Sequence, residues 1–258
     1  MTVQELDNYF RSILPIADFA NSDVSLNGVQ VGDLEGMVGR IAFAVDACMG
    51  TFRMAEKWGA DMLFVHHGLF WGKPIAVTGP HYERISFLLE HGISLYAAHL
   101  PLDMHGELGN NAALAQKLGL EELKEFGEYH GMTIGWQGNL PKPLTMEEVL
   151  AKVEIPKENA LSILPFGPEK INRVGIISGG ATRELAQALD AGLDLYITGE
   201  VSHEMYHQAL EGRINVIAGG HYNTEVWGAK NLSEKCAGDT GLETEFIDRS
   251  EERRVGKE

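Results

Sequence analysis

Arg40-Ile-Ala-Phe-Ala-Val-Asp46 and, 133 positions further on, Arg173-Val-Gly-Ile-Ile-Ser178 open two stretches that align without a gap. Each begins with an apolar run of strand length. In the first, a helical pattern through Phe52, Met54, Ala55 and Trp58 stops at Gly59, and Met62-Leu63-Phe64-Val65 follows as a second strand. In the other, Thr182 to Ala191 gives the helix, Gly192 its stop, and Leu195-Tyr196-Ile197-Thr198 the strand. Arg40 falls opposite Arg173, Gly59 opposite Gly192 and Asp61 opposite Asp194. Both stretches continue with one more helix and strand, Tyr82 to His91 then Ile93 to Ala98, and His203 to Glu211 then Ile214 to Ala218. The pattern predicts an α/β chain of two similar domains, related by internal duplication, whose strand ends face a shared cleft. Convergence of two βαβ units on one pattern is the competing explanation, because glycine ends many helices.

Working outward, residues 1–126 form the expected first domain, rejoined by about 226–248 because Glu243-Thr-Glu-Phe-Ile-Asp248 reads as a last strand returning to the first sheet. Residues 127–225 form the second, and 249–258 a charged, solvated tail or a read-through scar. Between the repeats, Gly135 to Pro168 holds Pro141, Pro143, Pro156, Pro165 and Pro168 around one helical stretch, Met146 to Val153, which predicts a connection of limited structure. Asn27-Gly28-Val29-Gln30-Val31 reads as a turn and strand, with hairpin formation its simplest role.

The chain has 258 residues, 44% of them hydrophobic, and a formal charge of −16. That length allows one large or two small α/β domains. The charge argues against broad nucleic-acid binding, which needs Lys and Arg along the phosphates. Two isolated cysteines, Cys48 and Cys236, make no disulfide framework or thiolate zinc knuckle and fit a reducing, cytoplasmic setting. No stretch approaches the roughly 20 apolar residues of a membrane span.

Metal-ligand chemistry falls in three places, each after an apolar run: Val65-His66-His67-Gly68, His99-Leu100-Pro101-Leu102-Asp103 and His221-Tyr222-Asn223-Thr224-Glu225. Open α/β sheets bind ligands at such strand ends. Adjacent residues of a regular strand point to opposite faces, but a twist at Gly68 lets His66 and His67 serve two ions about 3.5–4 Å apart. Gly219-Gly220 permits a tight turn into a helix, on which His221 and Glu225 share a face. Pro101 turns the chain before Asp103. Imidazoles mixed with carboxylates favour zinc, iron or manganese over calcium. His99, His105 and His203 are expected beside the ligands or on the substrate side, with His99 able to shuttle a proton. Glu200 is either a base or a solvated acid at a helix start. Gly175 to Gly180 lacks the spacing of a dinucleotide fingerprint, and no phosphate-loop lysine or nucleophile elbow is present.

Taken in order, Asn27-Gly28-Val29-Gln30-Val31, Val45-Asp46, His66-His67-Gly68, His99 to Asp103, Gly109-Asn110-Asn111, Thr198-Gly199-Glu200 and Gly219-Gly220-His221 with Glu225 resemble the NIF-three-like family, the GTP cyclohydrolase I type 2 homologues. The resemblance implies two divalent metal ions held by His66, His67, Asp103, His221 and Glu225 in the cleft between two similar α/β domains. It also implies a homohexameric ring and hydrolytic opening of a nucleotide's purine ring; the catalytic candidates for such a step, His99 and Glu200, come from the chemistry of the residues themselves. A non-enzymatic metal-binding ring that delivers metal or docks a basic protein is the alternative.

Overall fold

The computed structural model describes residues 1–250, so most of the expected tail, from residue 251 on, lies outside the described residues. In chain order the first elements are α1 (Val3–Ile13), β1 (Gly28–Val31), β2 (Arg40–Asp46), α2 (Met49–Trp58), β3 (Met62–His67), α3 (Gly79–Glu90), β4 (Ser94–Ala97), α4 (Leu100–Asp103) and α5 (Asn110–Leu118). Then follow β5 (Glu121–Tyr129), β6 (Met132–Leu144), α6 (Met146–Lys152), β7 (Ser162–Pro165), β8 (Ile171–Ile176), α7 (Leu185–Asp190), β9 (Leu195–Thr198), α8 (His203–Gly212), β10 (Asn215–Ala218), α9 (His221–Thr240) and β11 (Glu243–Phe246). The fold is mixed α/β with two sheets, and the chain divides into two compact units, Met1–His105 with Gly228–Arg249, and Gly106–Trp227.

In the first unit the sheet runs β1-β4-β3-β2-β11, with β1 antiparallel to β4 and the other pairings parallel. Alternation along the strands supplies both faces. Phe43, Phe64 and Tyr96 meet Phe10 of α1, whose ring lies 5.0 Å from Phe64 and 4.8 Å from Tyr96. Their neighbours Ala42, Ala44, Leu63, Val65 and Leu95 pack with Phe52, Ala55 and Leu88. A sheet covered on both faces explains why these strands are continuous apolar runs. Helix α1 is set by a capping box, the Glu5 N–H donating to Thr2 Oγ1 (3.1 Å) and the Thr2 N–H to Glu5 Oε2 (2.8 Å).

The second sheet runs β5-β6-β8-β9-β10-β7, with β8, β9 and β10 parallel and the rest antiparallel. One face packs Val174, Ile176, Leu195, Ile197 and Ile217 against Leu114 and Leu118 of α5 and Val149 and Leu150 of α6.

The two parallel cores share their register. Ile41 faces Met62 as Val174 faces Leu195, and Met62 faces Ser94 as Leu195 faces Asn215. The matched residues do matched work. Asp61 Oδ2 accepts from the Gly39 and Arg40 N–H groups at 2.8 and 2.9 Å, and Asp194 Oδ2 from those of Asn172 and Arg173 at 2.9 and 2.8 Å. Each aspartate thus ties the start of one strand to the start of the next. Arg40 donates to the Trp58 carbonyl (3.4 Å), and Arg173 to those of Ala191 and Gly192 (2.7 and 2.8 Å), so both guanidinium groups satisfy helix C-terminal carbonyls. Gly59 and Gly192 stop these helices with φ of 82° and 64°.

Three features differ from the sequence-based expectation. The boundary expected at 126/127 falls at 105/106, because β5 pairs with β6 and α5 packs in the second core. The proline-bearing stretch 135–168 is ordered into β6, α6 and β7. Pro141 and Pro143 sit where the β6–β8 ladder shifts register between Asn139 and Leu144, so their missing N–H groups break no pairing there. The phrase beginning at Asn27 makes no hairpin; β1 pairs with β4, far along the chain, and Asn27 Oδ1 accepts the His99 N–H at 2.8 Å. Strand β11 does return to the first sheet, beside β2.

Candidate metal centre

In the first unit, β3 ends in His66-His67 and β4 leads through Ala98 to His99, which opens the short turn of α4 ending in Asp103. The strand twist brings the two adjacent imidazoles to one side, their ring centroids 4.6 Å apart, and His99 lies 5.1 Å from His66 and 5.7 Å from His67. One ring nitrogen from each of His66, His67 and His99 falls within 4.8 Å of the others. Asp103 Oδ2 stands 3.5 Å from Nε2 of the fully buried His66. In the second unit, α9 starts at His221 straight after Gly220, and His221 Nε2 lies 3.2 Å from Glu225 Oε2 one turn on.

Four imidazoles are anchored in the same way. His66 Nδ1 meets the Ala98 carbonyl at 3.0 Å, His67 Nδ1 meets Asp46 Oδ1 at 2.8 Å, His99 Nδ1 meets Asp23 Oδ1 at 2.9 Å, and His221 Nδ1 meets Glu200 Oε1 at 2.6 Å. Carbonyl and carboxylate oxygens only accept, so each ring donates from Nδ1, and it is Nε2 that the neutral ring offers as a ligand atom. Metal-binding histidines use this tautomer, fixed from behind by an oxygen. Nitrogen and carboxylate donors of this kind fit zinc or iron.

Asp23 is the most heavily committed of these anchors. Its side chain is 1% exposed and accepts four hydrogen bonds, from His99 Nδ1, the Ser25 N–H, Asn27 Nδ2 and the Leu100 N–H. Burial alone would raise its pKa, but the hydrogen bond and charge of His99, with those from Asn27 and Ser25, hold it below the ordinary carboxylate value. Sequence reasoning passed over Asp23, whose histidine partner is 76 positions away.

Gly179 is the other residue sequence reasoning passed over. Its φ is +66°, and a Cβ there would run into Glu225 Oε1 and lie 3.1 Å from His221 Nε2. The Gly-Gly turn after β8 therefore leaves room for these two side chains rather than cradling a dinucleotide. Glu200, expected as a base or a solvated acid, faces His221 Nδ1. His203 opens α8 on the surface, and His105 follows α4, its N–H reaching the Leu102 carbonyl at 3.3 Å.

Fold and donor groups together define a two-sheet α/β protein with residues able to hold a metal at its strand ends. The chain belongs to the Duf34/NIF3 (NGG1p interacting factor 3) family, whose sequence model matches residues 1–253. It is 42% identical to a protein of Treponema pallidum, over 96% of this chain and 98% of the relative, and 44% identical to one of Archaeoglobus fulgidus with the same coverage. Both are named GTP cyclohydrolase 1 type 2 homolog. The crystal structure of TTHA1606 from Thermus thermophilus is similar with a TM-score of 0.87 and 38% identity, over 97% of this chain and 99% of that one. Among the described residues, no helix is long and apolar enough to cross a membrane.

Proposed function

We propose that the chain is a metal-dependent hydrolase acting on a nucleotide or related heterocycle at a dinuclear centre. His66, His67 and Asp103 from the first unit and His221 and Glu225 from the second would hold its two ions, of iron, zinc or manganese. The observation that carries this reading is the shared anchoring of the imidazoles, each Nδ1 held by an oxygen, which leaves Nε2 of each ring as the candidate ligand atom. When bound, paired ions lower the pKa of water and polarise the bond to be cleaved. The chain's own groups do the rest. Asp46 and Glu200 orient His67 and His221, and Asp23 holds His99 with Nε2 as the atom to take or give a proton. The relatives' name, GTP cyclohydrolase 1 type 2 homolog, supports the reaction class, hydrolysis within a purine nucleotide. A homohexameric ring in the cytoplasm completes the proposal.

The test is turnover of GTP and other nucleotides by protein loaded with iron, zinc or manganese. Wild type is expected to hydrolyse one of them and Glu225→Ala to lose the activity. No turnover with any metal, with Glu225→Ala indistinguishable from wild type, would contradict it. The charge of −16 supports a second reading, a metal-binding ring that docks a basic protein. A stoichiometric partner released by chelation would favour that one.

A further inference from the structure

The connection between the second and third parallel strands differs between the units. From Met62 to its partner Ser94 the chain runs twelve residues longer than from Leu195 to its partner Asn215. Part of the added length, directly after the His66-His67 pair, is Leu69 to Thr78, where Ile75 and Val77 are exposed. Trp71 is the residue of this segment that turns to the histidines. Its ring centroid lies 5.0 Å from that of His99 at an interplanar angle of 77°, and 6.0 Å from that of His67. The indole Nε1 donates to the Gly68 carbonyl at 3.0 Å, which fixes the ring. It is only partly buried.

The scaffold does not require this indole, because the second unit builds the same parallel core and register with the shorter connection. A locked, partly exposed indole beside two imidazoles, those of His67 and His99, is suited to a flat ligand: its π-face gives large contact area at little entropic cost, and its one polar atom is already satisfied. We propose that Trp71 is a stacking platform that selects a planar nitrogen heterocycle of nucleobase size for the histidine cluster of the first unit. The proposal rests on the reading of the chain as acting on a heterocycle. It adds the residue that recognises the ring.

Guanosine is the planar probe and inorganic pyrophosphate the non-planar control, titrated calorimetrically into the full chain, both zinc-loaded and stripped of metal. Trp71→Leu keeps apolar bulk without a π-face and Trp71→Phe keeps a smaller π-face; both are checked for unchanged unfolding midpoint and metal content. Guanosine affinity is expected to fall about tenfold in Trp71→Leu and to stay within about threefold in Trp71→Phe, with pyrophosphate affinity unmoved. Guanosine should also quench wild-type fluorescence, and Trp71→Phe should lose that quenching while still binding. Equal guanosine affinity in wild type and Trp71→Leu, equal losses for guanosine and pyrophosphate, or no guanosine binding by wild type would each overturn the proposal. Stacking needs only the indole face, so guanosine binding by the stripped chain judges the platform, whereas absent turnover in the loaded chain judges the hydrolase reading.

Discussion

Removing the Asp23 carboxylate tests how far one buried anchor shapes the first unit. Its two oxygens accept from His99 Nδ1, Ser25 N, Asn27 Nδ2 and Leu100 N, at 2.9, 2.9, 2.9 and 3.0 Å, and the side chain is 1% exposed. A buried donor that loses its acceptor costs about 1–3 kcal/mol. Asp23→Ala strips the acceptor from all four, and since Asn27 and His99 can turn toward water, the expected loss is about 3–5 kcal/mol. Asp23→Asn keeps one oxygen but turns an amide toward the other donors, for about 1–3 kcal/mol. With a urea slope of about 2 kcal/mol per molar, the alanine midpoint should fall by about 1.5–2.5 M. Hydrogen exchange gives the local readout: the Ser25 and Leu100 amides should lose protection. A stability loss under about 1 kcal/mol with both amides still protected would refute the reasoning.

Asp23 also sets a pH dependence. Its folded pKa is depressed, so the stability it adds is present above the unfolded value of about 4 and is lost as pH falls through the lower folded value. Urea unfolding at neutral and acid pH should therefore show a steeper acid loss in wild type than in Asp23→Asn; parallel profiles would contradict this. Gly179→Ala must adopt a φ of +66° and push against Glu225 and His221. About 1–2 kcal/mol of backbone strain and a fall in bound metal are expected, measured by urea unfolding and elemental analysis. Burial pushes the Cys236 thiol up to about 11, so at neutral pH it should resist a thiol reagent that reaches Cys48, and react only on unfolding.

The parallel cores were legible because local chemistry wrote them twice. Arg40, Gly59 and Asp61 and their counterparts Arg173, Gly192 and Asp194 each bond within their own βαβ unit, so spacing along the chain carried the signal. The candidate donors were legible for the same reason: His66-His67, Asp103, His221 and Glu225 sit at the ends of apolar runs or one helical turn apart. What anchors them was less so. The Asp23–His99 and Asp46–His67 bonds join residues 76 and 21 positions apart, and no local pattern announces a carboxylate whose partner arrives from another strand. The stretch 135–168 is hard to read from sequence because proline interrupts most strands, while a register shift in β6 lets this strand carry two of them.

Elemental analysis of the untagged chain, purified without chelator, tests the central claim most directly. Two divalent ions per chain are predicted, falling sharply in Asp103→Asn and in Glu225→Gln while both variants keep the wild-type circular dichroism spectrum. Zero ions in wild type, or the same count in all three proteins, would contradict a metal centre built from these residues.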